Sequence, residues 1–108
     1  MHKPNFTFIE VDDIEGHVTY QYGLPLRYPD GVAPGDRVKV TFVGIYQDDE
    51  VGCHIVQVGA LETQPSGTVL HLTTSTKNGV APVESGRRAT EHGWQPLANP
   101  IKKWGTWR

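Results

Sequence analysis

The run Arg37-Val38-Lys39-Val40-Thr41-Phe42-Val43-Gly44-Ile45, the acidic tip Asp48-Asp49-Glu50 and the return run Val51-Gly52-Cys53-His54-Ile55-Val56-Gln57-Val58 decide the fold class. Val38, Val40 and Phe42 fall on one side of an extended chain and Lys39 and Thr41 on the other, the period-two signature of a half-buried strand. A second β-rich run beyond a three-residue polar tip completes an antiparallel hairpin. Upstream, Phe6 to Val11 reads as a strand ended by Asp12-Asp13-Ile14-Glu15-Gly16, and His17 to Tyr22 as a strand stopped by Gly23. The connection from Leu24 to Asp36 is punctuated by Leu24-Pro25, Tyr28-Pro29-Asp30-Gly31 and Ala33-Pro34-Gly35. That excludes a helix or an inner strand there. Downstream, the turn Gln64-Pro65-Ser66-Gly67 precedes a fifth strand, Thr68 to Thr73.

The single helix expected spans about Pro82 to His92, with Pro82 suited to its first position and Gly93 to the place just past its end. Gly86 works against it from the interior. Trp94 to Arg108 holds three Trp without helical period and reads as a closing strand or an extended arm over the sheet. Residues 1–108 therefore form one α+β domain, an antiparallel-rich sheet with one or two short helices.

Composition narrows the function classes. A chain of 108 residues is too short for a doubly wound dinucleotide fold or a closed α/β barrel. Cys53 is the single cysteine, so no internal disulfide forms and a reducing interior is favoured. No apolar run of about 18 residues and no signal-like segment is present, which points to a cytoplasmic protein without membrane partners. The net charge of −2 argues against gripping long duplex nucleic acid. Its distribution is uneven: ten Asp/Glu against four Lys/Arg over residues 1–76, and two against six over residues 77–108. An acidic body with a basic end can still offer a local anion site.

Two segments share one grammar, His17-Val18-Thr19 in the second strand and His71-Leu72-Thr73 at the end of the fifth. On a strand the His and Thr of each triplet share a face while the apolar residue between them turns to the core. The expected cleft face carries His17, Thr19 and Gln21 from the first segment and His71 and Thr73 from the second. Val18, Tyr20, Tyr22, Leu70 and Leu72 are expected on the core side. An imidazole of pKa about 6.5 serves as general base or general acid at neutral pH, and displacement at phosphorus needs one of each. Threonine hydroxyls can donate to the non-bridging oxygens. No metal or other cofactor is required by such a set.

Paired His-apolar-Thr triplets are the signature of the two-histidine (2H) phosphoesterase superfamily, which this chain resembles. Gly67-Thr68-Val69-Leu70-His71-Leu72-Thr73 with Gly79-Val80-Ala81-Pro82-Val83-Glu84-Ser85 is similar to compact RNA-repair-type or phage-encoded members. The resemblance implies a bilobed cleft with one triplet from each sheet lobe and catalysis without metal. It implies His17 and His71 as acid and base in unassigned order, and Thr19 and Thr73 as phosphate ligands. The implied substrate is a 2′,3′-cyclic phosphate RNA end or a cyclic nucleotide or oligonucleotide. The alternative is a non-catalytic nucleotide- or RNA-end-binding protein using the same cleft. The triplets lie 54 residues apart, closer than in larger members, and Thr74 stands where the family prefers an apolar residue.

Tyr20, Tyr22 and Tyr28 lie near the first triplet and could stack a nucleobase; core packing explains Tyr20 and Tyr22 better, which leaves Tyr28, in the loop, as the candidate. Lys77, Arg87 and Arg88 follow the second triplet and are candidates for clamping a phosphate. His54 has no second Cys or His at ligand spacing and reads as a structural or surface residue. Trp94, Trp104 and Trp107 read as packing residues, with a base platform on one of them as the alternative.

Overall fold

The computed structural model describes residues 5–108. Six strands and one helix follow in the order β1 (Phe6–Val11), β2 (His17–Tyr22), β3 (Arg37–Gln47), β4 (Val51–Val58), β5 (His71–Thr76), α1 (Val83–His92) and β6 (Gln95–Trp107). All six strands join one sheet in the order β2-β1-β6-β3-β4-β5. Every neighbouring pair is antiparallel. The antiparallel α+β class expected from the alternation of β3 and β4 is the one observed, with a single helix among the described residues.

The inward faces of all six strands meet in one core of Ile9, Val11, Val18, Val40, Phe42, Val56, Val58, Leu72 and Trp107, joined by Leu70 from the link before β5. A flat sheet cannot bring the side chains of its two edge strands into one cluster. The sheet therefore curls around its core, and its edges β2 and β5 approach each other without hydrogen-bonding. A smaller core of Cys53, Ile55 and Ala89, with Val43, Tyr46, Val69 and Trp94 against it, lies on the other face of β3–β4 under α1. This explains why β4 is buried on both faces, reading as a near-continuous apolar run.

Of the two forms expected for the C-terminal segment, it takes the strand and not the arm over the sheet. β6 lies inside it, between β1 and β3, and Trp107 is 1% exposed with Tyr20 and Tyr28 edge-on to its ring. Trp107→Ala should cost about 3–5 kcal/mol. That is a large share of the stability of a domain this size, and a urea melt is expected to show most of the chain unfolded at low denaturant.

The tip between β3 and β4 is built around Asp48, whose carboxylate accepts from the backbone N–H of Glu50 and Val51, both at 2.8 Å. The Tyr46 hydroxyl donates to it at 2.7 Å, and Arg88 of α1 reaches it at 3.2 Å and Glu50 at 3.1 Å. These partners, Tyr46 foremost, hold the Asp48 carboxyl well below the usual carboxylate range. Arg88 thereby ties the helix to the hairpin tip.

Candidate functional site

Both triplets open their strands: His17 is the first residue of β2 and His71 the first of β5. The second placement differs from the expected one, in which His71 closed a strand begun at Thr68. Residues 68–70 bond mainly to the preceding segment, with Leu70 also accepting from Val56 of β4 through its carbonyl. Thr63 bridges Val69, Gln64 N–H donates to Thr68 and Leu70 N–H to Glu62. The ladder with β4 begins only at His71, opposite Ile55.

A bulge follows each triplet directly. On β2 the register passes from Phe8 opposite Thr19 to Thr7 opposite Gln21, leaving Tyr20 as the extra residue. On β5 it passes from Cys53 opposite Thr73 to Gly52 opposite Ser75, leaving Thr74 unpaired. An extra residue inverts the faces beyond it. This corrects two expectations: Gln21 does not reach the cleft, and Tyr22 does not turn to the core. Tyr22 is 56% exposed and lines the site.

That site is a pocket of about 340 Å³ between β2, β5 and the start of α1, lined by both triplets' histidines and threonines together with Gly16, Tyr22, Thr74, Ser75, Thr76, Pro82 and Val83. The structure thus brings His17, Thr19, His71 and Thr73 into one pocket. Among the described residues, no Lys, Arg, Asp or Glu lines it. Tyr28, Lys77, Arg87 and Arg88 do not line it. The Tyr28 hydroxyl donates to the Arg108 carbonyl at 2.8 Å, Arg87 pairs with Glu84 and Glu91, and Arg88 with Asp48 and Glu50. Lys77 is exposed beyond the end of β5.

His71 is 7% exposed, and its Nδ1 lies 2.8 Å from the Val69 carbonyl. A carbonyl only accepts, so Nδ1 carries the proton and neutral His71 is left with a bare Nε2. Burial lowers its pKa from the ordinary value, and the Val69 carbonyl opposes this. The ring rests on α1 at Gly86, where a Cβ would stand 2.0 Å from His71 Cε1. The glycine that argued against a helix in the sequence is the vacancy that lets the helix close over the imidazole.

Thr73 Oγ1 lies 2.9 Å from Ser85 Oγ and 3.2 Å from the Pro82 carbonyl, and Ser85 Oγ is 2.9 Å from the same carbonyl. Each hydroxyl has one hydrogen, so Thr73 donates into the pocket when Ser85 donates to Thr73. Ser85 is fully buried; in the sequence it closes the segment Gly79 to Ser85 but carries no role of its own, its one local signal being its place in the first turn after Pro82. Behind it, burial pushes the Cys53 thiol up to about 11, with Ser85 opposing, which makes this cysteine a packing residue and no nucleophile.

His17 is the more exposed imidazole, packed against Phe6 at 5.2 Å and Phe8 at 5.1 Å between ring centres. Partial burial lowers its pKa as well. On the opposite edge of the pocket wall, the Thr19 carbonyl accepts from Gln64 Nε2 at 2.9 Å, which pins the loop before β5 to β2. His54 points to the sheet's inner side, edge-on to Phe42. Among the described residues no group of three His, Cys, Asp or Glu stands close enough to hold a metal, and no helix is long and apolar enough to cross a membrane. No family model, no curated protein and no solved structure matches the chain.

Proposed function

We propose that this chain is a metal-independent phosphodiesterase of the two-histidine type, acting on a 2′,3′-cyclic phosphate RNA end or a cyclic nucleotide or oligonucleotide. The observation that carries the reading is the convergence of two His-x-Thr triplets, from opposite edges of one sheet, on one pocket. In this reading β1–β2 and β4–β5 with α1 act as the two lobes of the cleft. Two imidazoles there supply an acid and a base, and two threonines supply donors for the non-bridging oxygens.

His71 is the better base, because its tautomer is fixed with Nε2 free. It takes a proton from water as the oxygen attacks phosphorus. The bond from phosphorus to the leaving ribose oxygen breaks, and His17, entering as imidazolium, protonates that oxygen. His71 ends protonated and His17 neutral, and exchange with solvent resets the pair. Thr73, backed by Ser85, and Thr19 hold the phosphoryl oxygens. A lining without fixed cations among the described residues suits a phosphodiester, with one negative charge, better than a phosphomonoester with two.

The pH dependence follows from the two lowered pKa values. The step needs one imidazole neutral and one protonated, so kcat/KM is bell-shaped between the pKa values of the free enzyme. Both lie below the ordinary value of 6.5, which places the maximum on the acid side of pH 6.5. The test is hydrolysis of adenosine 2′,3′-cyclic phosphate across pH 4.5–8 with and without EDTA. A maximum below pH 6.5 that EDTA leaves unchanged supports the reading; a chelator-sensitive rate overturns it. Tight binding with intact ligand recovered would select the non-catalytic alternative.

A further inference from the structure

We propose that Tyr22 is the nucleobase platform of this site, an inference that rests on the phosphodiesterase reading and names the part of the substrate beyond the phosphate. Tyr22 reaches the pocket because the bulge at Tyr20 turns it onto the face of His17 and Thr19. On that face Phe8 stands opposite Thr19 and Phe6 opposite Tyr22, two residues along β1, so the ring lies about 7 Å beyond the phosphate-binding threonine. That is one nucleoside's distance along the strand.

The ring is exposed but not loose. Phe6 backs Tyr22 with centres 5.5 Å apart, and Phe6 in turn touches Phe8 at 5.0 Å and His17 at 5.2 Å. A continuous aromatic surface therefore runs from the imidazole to Tyr22, and little rotamer freedom remains to be lost on binding. From the α1 side of the pocket Val83, 47% exposed, offers a second apolar surface. Between them the lining is hydroxyl-bearing and uncharged, Thr74, Ser75 and Thr76. An exposed aromatic ring beside a phosphate site, facing an apolar wall, fits a flat heterocycle, and stacking on it tolerates any base.

The test compares the wild type, Tyr22→Ala and Tyr22→Phe on adenosine 2′,3′-cyclic phosphate and on 1-O-methylribose 2′,3′-cyclic phosphate, which lacks the base. Tyr22 lies outside both cores, so circular dichroism melts are expected to be unchanged. Tyr22→Ala should lower kcat/KM on the adenosine compound about 5- to 150-fold, mainly through KM, and leave the base-free compound unchanged. Tyr22→Phe should retain near wild-type values on both. Equal losses on the two compounds, or no loss on the nucleotide, overturn the platform. If the wild type hydrolyses neither, the phosphodiesterase reading fails, and the platform is then decided by calorimetry with adenosine 2′-monophosphate and its base-free counterpart. Weakened binding of the nucleotide alone in Tyr22→Ala upholds it; equal binding, or none, overturns it.

Discussion

Replacing either imidazole should lower kcat/KM by about 10²- to 10⁴-fold, the usual contribution of one positioned acid or base. His17→Ala is clean, because the ring stands at the surface of the pocket. His71 is buried under α1, so His71→Gln, which preserves most of the volume, is the better second variant. Its melting curve should stay near that of the wild type while turnover of adenosine 2′,3′-cyclic phosphate collapses. The double variant should be little worse than either single one, since an acid and a base serving one displacement act as a unit. Turnover unchanged in both single variants would remove the basis of the proposed activity.

Gly86→Ala carries the second large effect, with a sign opposite to the ordinary one. In a helix interior this change normally stabilises by about 1 kcal/mol. Here the new Cβ would overlap the His71 ring at Cε1, Nδ1 and Nε2, and either the ring leaves its bond to Val69 or α1 lifts from the sheet. Overpacking of this kind costs about 1–3 kcal/mol. A net loss of stability in a urea melt is expected, together with loss of turnover because the proposed base is displaced. The decisive control is the His71→Ala background, in which the clash no longer exists. There Gly86→Ala should stabilise, and a destabilising effect in both backgrounds would separate Gly86 from the imidazole.

Much of this was legible in the chain because period-two alternation reports faces directly. Val38, Val40 and Phe42 point as their spacing requires, and β1, β2 and β4 span the residues their patterns mark. The triplets were legible for the same reason, since His and Thr two apart on a strand must share a face. Bulges were not, because one extra residue at Tyr20 or Thr74 leaves no mark in the alternation until the partner strand is known. That is why Tyr22 and Gln21 exchanged faces. β6 was obscured by its own register: residues 97–100 stand opposite Val43 alone, and Pro96 and Pro100 break the pattern of a strand that lies inside the sheet. Arg88 looked like a free cation because its partner Asp48 lies 40 residues upstream.

The uncharged lining of the pocket makes the proton a ligand in its own right. With both imidazoles neutral the described lining carries no charge to offer an anion, and with one of them protonated it carries one positive charge. Anion affinity and imidazole protonation are therefore thermodynamically linked, each raising the other by the same factor. In the proposed reading a bound phosphodiester would draw a proton from buffer into the site, and acidity of the medium would act as the cation that phosphate pockets elsewhere build in from lysine or arginine.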